Sequence, residues 1–98
     1  MAHVRVAIYQ IKPGTADEIL RRAQSGVLPI FRQQPGFVAY EGVVTADDEI
    51  VSISTWESAE QAQTAVHTAA GWVRENLEDL VLSVDNYVGE LGFSTRNL

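Results

Sequence analysis

Apolar and polar positions alternate at both ends of the chain and recur at helical spacing between them. Val4, Val6 and Ile8 alternate with Arg5, Ala7 and Tyr9, which predicts a half-buried strand ended by Lys12-Pro13-Gly14. Thr15 or Asp17 then caps a helix whose apolar positions are Ile19, Leu20, Ala23, Val27, Ile30 and Phe31. Pro29 interrupts that pattern. It has no N–H and its ring crowds the carbonyl of Ser25, so a kink is expected near Ser25-Gly26 before the helix resumes to about Gln34. Pro35-Gly36 stops it. Two strands follow over residues 37–44 and 49–56, joined by Thr45-Ala46-Asp47-Asp48, whose residues favour a turn. The second strand runs into a second helix, from residue 59 to about 80. Ser58 is placed as its N-cap, and Gln61 three residues on completes a capping box. Its core stripe reads Ala59, Ala62, Val66, Ala69, Val73 and Leu77. Leu82, Val84, Asn86 and Val88 alternate as a fourth strand, and a short tail closes the chain.

The order β-α-β-β-α-β predicts an α+β, ferredoxin-like protomer: an antiparallel four-stranded sheet with helices enough for one face only. On this pattern Val4, Val6, Ile8, Val51, Ile53, Leu82, Val84 and Val88 form the helix-covered face. Arg5, Ala7, Tyr9, Ser52, Ser54, Trp56, Asp85 and Tyr87 fall on the uncovered one. If Asp47-Asp48 is a two-residue turn, Phe37, Ala39, Glu41 and Val43 join them; an odd-length turn substitutes Val38, Tyr40, Gly42 and Val44. A surface so rich in rings and small hydroxyls suits packing against a second copy, with a cavity between the two sheets.

Composition narrows the function. The chain of 98 residues is long enough for one domain, 1–98, with residues 90–98 as its tail. Net charge is −6, Lys12 is the only lysine, and the arginines are scattered, so a phosphate-backbone partner is not expected. There is no cysteine, hence no disulfide, thiolate metal site or thiol nucleophile. No apolar run is long enough to span a bilayer and residues 1–5 lead straight into a strand, so the expected location is the cytoplasm, with no membrane partner.

Lys12-Pro13-Gly14, Gln34-Pro35-Gly36-Phe37, Thr55-Trp56-Glu57-Ser58 and a histidine in the second helix together resemble the antibiotic biosynthesis monooxygenase family. The likeness spans roughly residues 4–88. It implies a ferredoxin-like protomer that forms a dimeric α/β barrel through its sheets. Family members include cofactor-independent oxygenases of aromatic polyketides, haem-degrading enzymes and proteins with no assigned activity.

Candidate chemistry follows from a few side chains. His67, beside Gln63 and Arg74 on the helix flank, can act as a general base or an axial haem ligand, or be a plain surface residue. Trp56 can stack on a flat substrate or anchor the core. Tyr9, Tyr40 and Tyr87 can hydrogen-bond a phenolate. Arg5 can pair with Asp85 or Glu41, or clamp an anion, and Ser54 leaves room beside it. No metal-ligand spacing, phosphate loop or nucleophile elbow is present, so neither metal nor cofactor is expected. The leading expectation is a cofactor-independent monooxygenase-like homodimer acting on a small aromatic or phenolic metabolite, with His67 as base and Trp56, Tyr9, Tyr87, Arg5 and Ser54 around the substrate. The alternatives are a non-catalytic dimeric barrel that binds a metabolite and a haem-binding or haem-degrading protein. The haem enzymes of the family carry an Asn on the first strand, which this strand lacks.

Overall fold

The alternation at the start of the chain becomes β1 (His3–Ile11) of the computed structural model, which describes residues 2–96. Then follow α1 (Ala16–Ser25), α2 (Val27–Gln33), β2 (Phe37–Ala46), β3 (Glu49–Trp56), α3 (Ala59–Asn76) and β4 (Val81–Glu90). The strands form one antiparallel sheet in the order β2-β3-β1-β4, the ferredoxin-like arrangement. Beyond β4 the tail runs alongside the start of β1, where Leu91 N–H donates to the Ala2 carbonyl at 2.9 Å. The last part of the expected tail, residues 97–98, lies outside the described residues.

The kink expected before Pro29 is a full break. Pro29 sits in the first turn of α2, where an N–H has no intrahelical partner, and Gly26 separates the two helices. Gly26 is also the point where the ring of Trp72 presses on the backbone: a Cβ there would stand 2.5 Å from Trp72 Cζ2. Gly26→Ala is therefore expected to destabilise the fold by about 1–3 kcal/mol through overpacking. A thermal melt checks this, and a melting temperature equal to the parent's would show that Trp72 yields freely.

Ser58 caps α3 as expected, its Oγ accepting from Gln61 N–H at 3.2 Å. The reciprocal half of the capping box is missing. The Gln61 side chain instead lies over Gly36, a turn residue at φ +83°, and its Oε1 has no partner among the described residues. The helix also ends earlier than the pattern suggested, at Asn76, because Leu77 leaves the helical region and its carbonyl turns the chain back through Leu80 and Val81. Ala65 joins Ala62, Ala69 and Leu77 in the core, while Ala59 is exposed.

The sheet faces are the reverse of the expected ones along β1 and β3. The helices cover Arg5, Ala7 and Ile11 of β1 and Ile50, Ser52, Ser54 and Trp56 of β3, all buried. Val84, Asn86 and Val88 lie opposite Tyr9, Ala7 and Arg5, so β4 turns those three residues toward the helices. Val4, Val6, Ile8, Val51 and Ile53 face the other way, and they meet Asp85 and Tyr87 of β4 there. Packing explains the choice: Ala7, Ser52 and Ser54 are small, which lets the alanine stripe of α3 approach. In β2 a bulge between Val44 and Ala46 shifts the register by one residue despite the two-residue turn. Tyr40 and Gly42 thus oppose Ser54 and Ser52 on the helix side.

The core has two parts. Around Trp56 are Phe31, Ala62, Ala65 and Ala69, with Phe37 and Tyr40 packed against them. Trp56 is fully buried, meeting Phe31 edge-on at 5.2 Å and Phe37 at 5.5 Å. The second part gathers Ile11, Ile19, Ile50 and Leu77, and Trp72 touches both.

Candidate functional site

Between the helices and the sheet lies a narrow cavity of about 40 Å³, room for roughly one or two waters. Its sheet wall is Tyr9, Tyr40, Gly42 and Ser52; its helix wall includes Leu20, Val27, Ala69, Trp72 and Val73. A wider cleft of about 300 Å³ opens between α3 and β4, bordered by Arg5, Tyr9, Val73, Val81, Val84 and Asn86. Tyr9, Val73 and Val81 line both, so the two spaces are neighbours across a thin wall.

Arg5 dominates the electrostatics. Its side chain is buried, 1% exposed, in the middle of the sheet's helix face. Nη2 donates to the Tyr9 hydroxyl at 2.9 Å, four residues along the same face of β1. The guanidinium carbon stands 5.9 Å from the centre of the Phe31 ring, a weak cation–π contact. Nε and Nη1 find no partner, and no carboxylate among the described residues pairs with this charge. The expected ion pair with Asp85 or Glu41 does not form. Register is the reason: Val88 and Ser54 stand opposite Arg5, Asp85 lies on the other sheet face opposite Ile8, and Glu41 pairs with Arg96 at 3.6 Å. A buried guanidinium with unsatisfied donors costs several kcal/mol unless something anionic answers it.

Burial pushes the Tyr40 hydroxyl above its usual range. Ser52 opposes that shift in part, Tyr9 adds to it and Arg5 lowers it slightly. Tyr40 therefore keeps its proton at neutral pH. Ser52 Oγ is near enough to act on it, yet is buried without a hydrogen bond of ordinary geometry. Asn86 Oδ1 is likewise buried and unpartnered.

Of the side chains singled out from sequence, Arg5, Tyr9 and Tyr40 come together here. Ser54 and Trp56 form a pair of their own next door: Trp56 Nε1–H donates to Ser54 Oγ at 2.9 Å, both wholly buried, and neither lines the cavity or the cleft. Trp56 thus packs as a core anchor and offers no face for stacking. His67 is exposed on the outer side of α3 and borders neither space, since Ala62, Ala65 and Ala69 form that helix's inner stripe. Tyr87 is 60% exposed on the uncovered sheet face, opposite Val6. Within the protomer, the enclosed space lies between the helices and the sheet. Ser52 and Trp72 complete the cavity, and Asn86 the neighbouring cleft. Asn86 carries the clearest missed signal, a lone amide at an inward position of the alternation Val84-Asn86-Val88. Among the described residues no group of three or more His, Asp or Glu side chains could hold a metal ion, and no helix is long and apolar enough to cross a membrane.

The comparisons with known proteins come to the same fold. A family model described as antibiotic biosynthesis monooxygenase matches residues 1–71. SnoaB, a cofactor-independent oxygenase from Streptomyces nogalater, is 17% identical with a TM-score of 0.69, covering 96% of each chain. A monooxygenase from the gene ActVA-Orf6 of Streptomyces coelicolor, solved with the ligand Nanaomycin D, is 21% identical with a TM-score of 0.73; the match covers 99% of this chain and 93% of that one. An antibiotic biosynthesis monooxygenase assigned in Bacillus cereus is 21% identical with a TM-score of 0.68, over 100% of this chain and 98% of the other. At such identities the structures share the fold. No curated protein matches the chain.

Proposed function

Because the chain belongs to the antibiotic biosynthesis monooxygenase family, we propose that it is a homodimer in which each protomer oxidises a small phenolic metabolite with molecular oxygen between its own helices and sheet. One observation carries this reading: Arg5, a buried cation with free donors, borders a cleft walled by apolar side chains. The printed descriptions of SnoaB as a cofactor-independent oxygenase and of the ActVA-Orf6 monooxygenase with the ligand Nanaomycin D support the reaction class and a small-molecule ligand.

The chemistry draws on the substrate. A phenol entering the cleft binds as its anion, its proton passing to bulk water, because the guanidinium favours the charged form in a place where water screens little. The ring carbon para to the phenolate, made electron-rich, bonds one atom of O2. A proton taken back from water, matching the one released on binding, goes to the far oxygen and gives a hydroperoxide. Loss of the ring-carbon proton with cleavage of the O–O bond then expels water and leaves a quinone carbonyl. Both oxygen atoms are accounted for, one in the product and one in water. Arg5 holds the oxyanion, Tyr9 orients Arg5, and the apolar walls keep water from the reduced intermediate. Oxygen uptake with 1-naphthol- or anthrone-type substrates, whose ring carbon para to the hydroxyl carries hydrogen, tests the reading. Uptake no faster than without protein would leave a metabolite-binding dimer as the better account. The haem alternative finds little support, since His67 faces away from both spaces and the first strand carries no Asn.

Dimerisation accounts for the uncovered face. Val4, Val6, Ile8, Val51 and Ile53 make a continuous aliphatic surface that no element of the protomer covers, a composition suited to a second sheet. Val6→Asp, which would bring two unpaired carboxylates into that interface across a two-fold axis, is expected to weaken self-association by about 100-fold or more. Sedimentation or native mass spectrometry reads the result; an unchanged dimer would remove this face as the interface.

A further inference from the structure

The cleft between α3 and β4 presents two opposite demands side by side. Among the described residues nothing accepts from the Arg5 N–H donors at Nε and Nη1, and nothing donates to Asn86 Oδ1. They are diagonal neighbours on one sheet face, since Val88 stands opposite Arg5 and Asn86 opposite Ala7. Both border the same space of about 300 Å³, and Arg5 is 1% exposed. A simple anion would answer Arg5 and leave Asn86 unsatisfied. A neutral alcohol would answer Asn86 and leave the buried charge alone.

From this complementarity we infer that the cleft is built for an aromatic ring bearing a carboxylate and an adjacent hydroxyl, an ortho-hydroxyaryl carboxylate. The carboxylate accepts from Arg5 and the hydroxyl donates to Asn86 Oδ1. Ala70, Val73, Val81 and Val84 supply apolar surface for the flat ring. Arg74 and Glu78 border the cleft as exposed residues, so their charges are screened and the buried guanidinium sets the preference for an anion. The inference rests on the functional reading above for the site alone: such a ligand takes the place of the phenolate on Arg5, keeps its own hydroxyl un-ionised, and is bound without turnover.

Isothermal titration calorimetry with salicylate, benzoate and salicylamide tests it, on the parent protein and on Arg5→Met and Asn86→Leu. Salicylate is expected to bind at least tenfold more tightly than benzoate, which lacks the hydroxyl, and salicylamide, which lacks the charge, more weakly still. Arg5→Met is expected to lose salicylate binding. Asn86→Leu should keep binding and bring the salicylate-to-benzoate ratio close to one; this variant keeps the test decisive should Arg5→Met fail to fold. Absence of salicylate binding, equal affinity in Arg5→Met, or an undiminished preference in Asn86→Leu would each overturn the inference. Salicylate binding with the expected variant pattern but no oxygen uptake from any phenol would uphold the site and remove the catalytic reading. Oxygen uptake from anthrone-type substrates without salicylate binding would do the reverse.

Discussion

Replacing Arg5 with methionine is expected to abolish most oxygen uptake while leaving the fold as stable as the parent or more so. The two effects have one source. In the folded chain the guanidinium is buried, donates one hydrogen bond to Tyr9, and leaves Nε and Nη1 unanswered. An apolar side chain of similar length removes that desolvation cost, and such replacements are neutral or stabilising by about 1–4 kcal/mol. The same change removes the group proposed to hold the phenolate. Losing one preorganised oxyanion donor costs about 100- to 1,000-fold in rate, so kcat/KM should fall by that factor. His67→Ala, on the outer side of α3, should leave uptake unchanged. Thermal melts and oxygen-electrode kinetics on the same preparations read both quantities. A variant that is both less stable and fully active would show that Arg5 serves the structure alone.

Trp56→Ala should have the largest effect on stability. Trp56 is wholly buried, meets Phe31 and Phe37 edge-on, and satisfies its N–H on Ser54. Truncation leaves a cavity and an unpartnered Ser54 hydroxyl, for a loss of about 3–5 kcal/mol. That is a large share of the roughly 5–15 kcal/mol available to such a domain. Trp56→Phe keeps one ring's contacts and loses the hydrogen bond and part of the indole volume, so it should cost less, about 1–3 kcal/mol. Urea unfolding separates the cases. Near-equal midpoints for the two variants would mean that the aromatic cluster repacks without Trp56.

The element order was legible because each boundary has a local cause. Pro29 beside Gly26 breaks the first helical stretch, Ser58 caps α3, and Asp47-Asp48 closes the hairpin. Which face of the sheet meets the helices was not. Alternation fixes a period of two residues and says nothing of its sign. Val4, Val6 and Ile8 have the composition of a core strand, yet here they form the surface left for another layer, while the small residues Ala7, Ser52 and Ser54 admit α3. The bulge before Ala46 is equally silent in the residue pattern, and it decides that Tyr40 reaches the cavity. The reversal moved the candidate site as well. Arg5 and Tyr9 stayed beside each other but passed to the helix-covered face, whereas Tyr87 stayed on the open face as expected and His67 was never near them. Sequence spacing places residues on elements; only pairing register decides which of them share a cavity.

The location of the site is the claim on which the functional account rests, and NMR chemical-shift mapping tests it most directly. Under anaerobic conditions, titration with 1,4-naphthohydroquinone should shift the Arg5 Nε–H resonance and the backbone amides of Tyr9, Val73, Val81 and Asn86. Shifts confined to Val4, Val6, Ile8, Val51 and Ile53 would contradict the account and return the binding site to the space between two sheets.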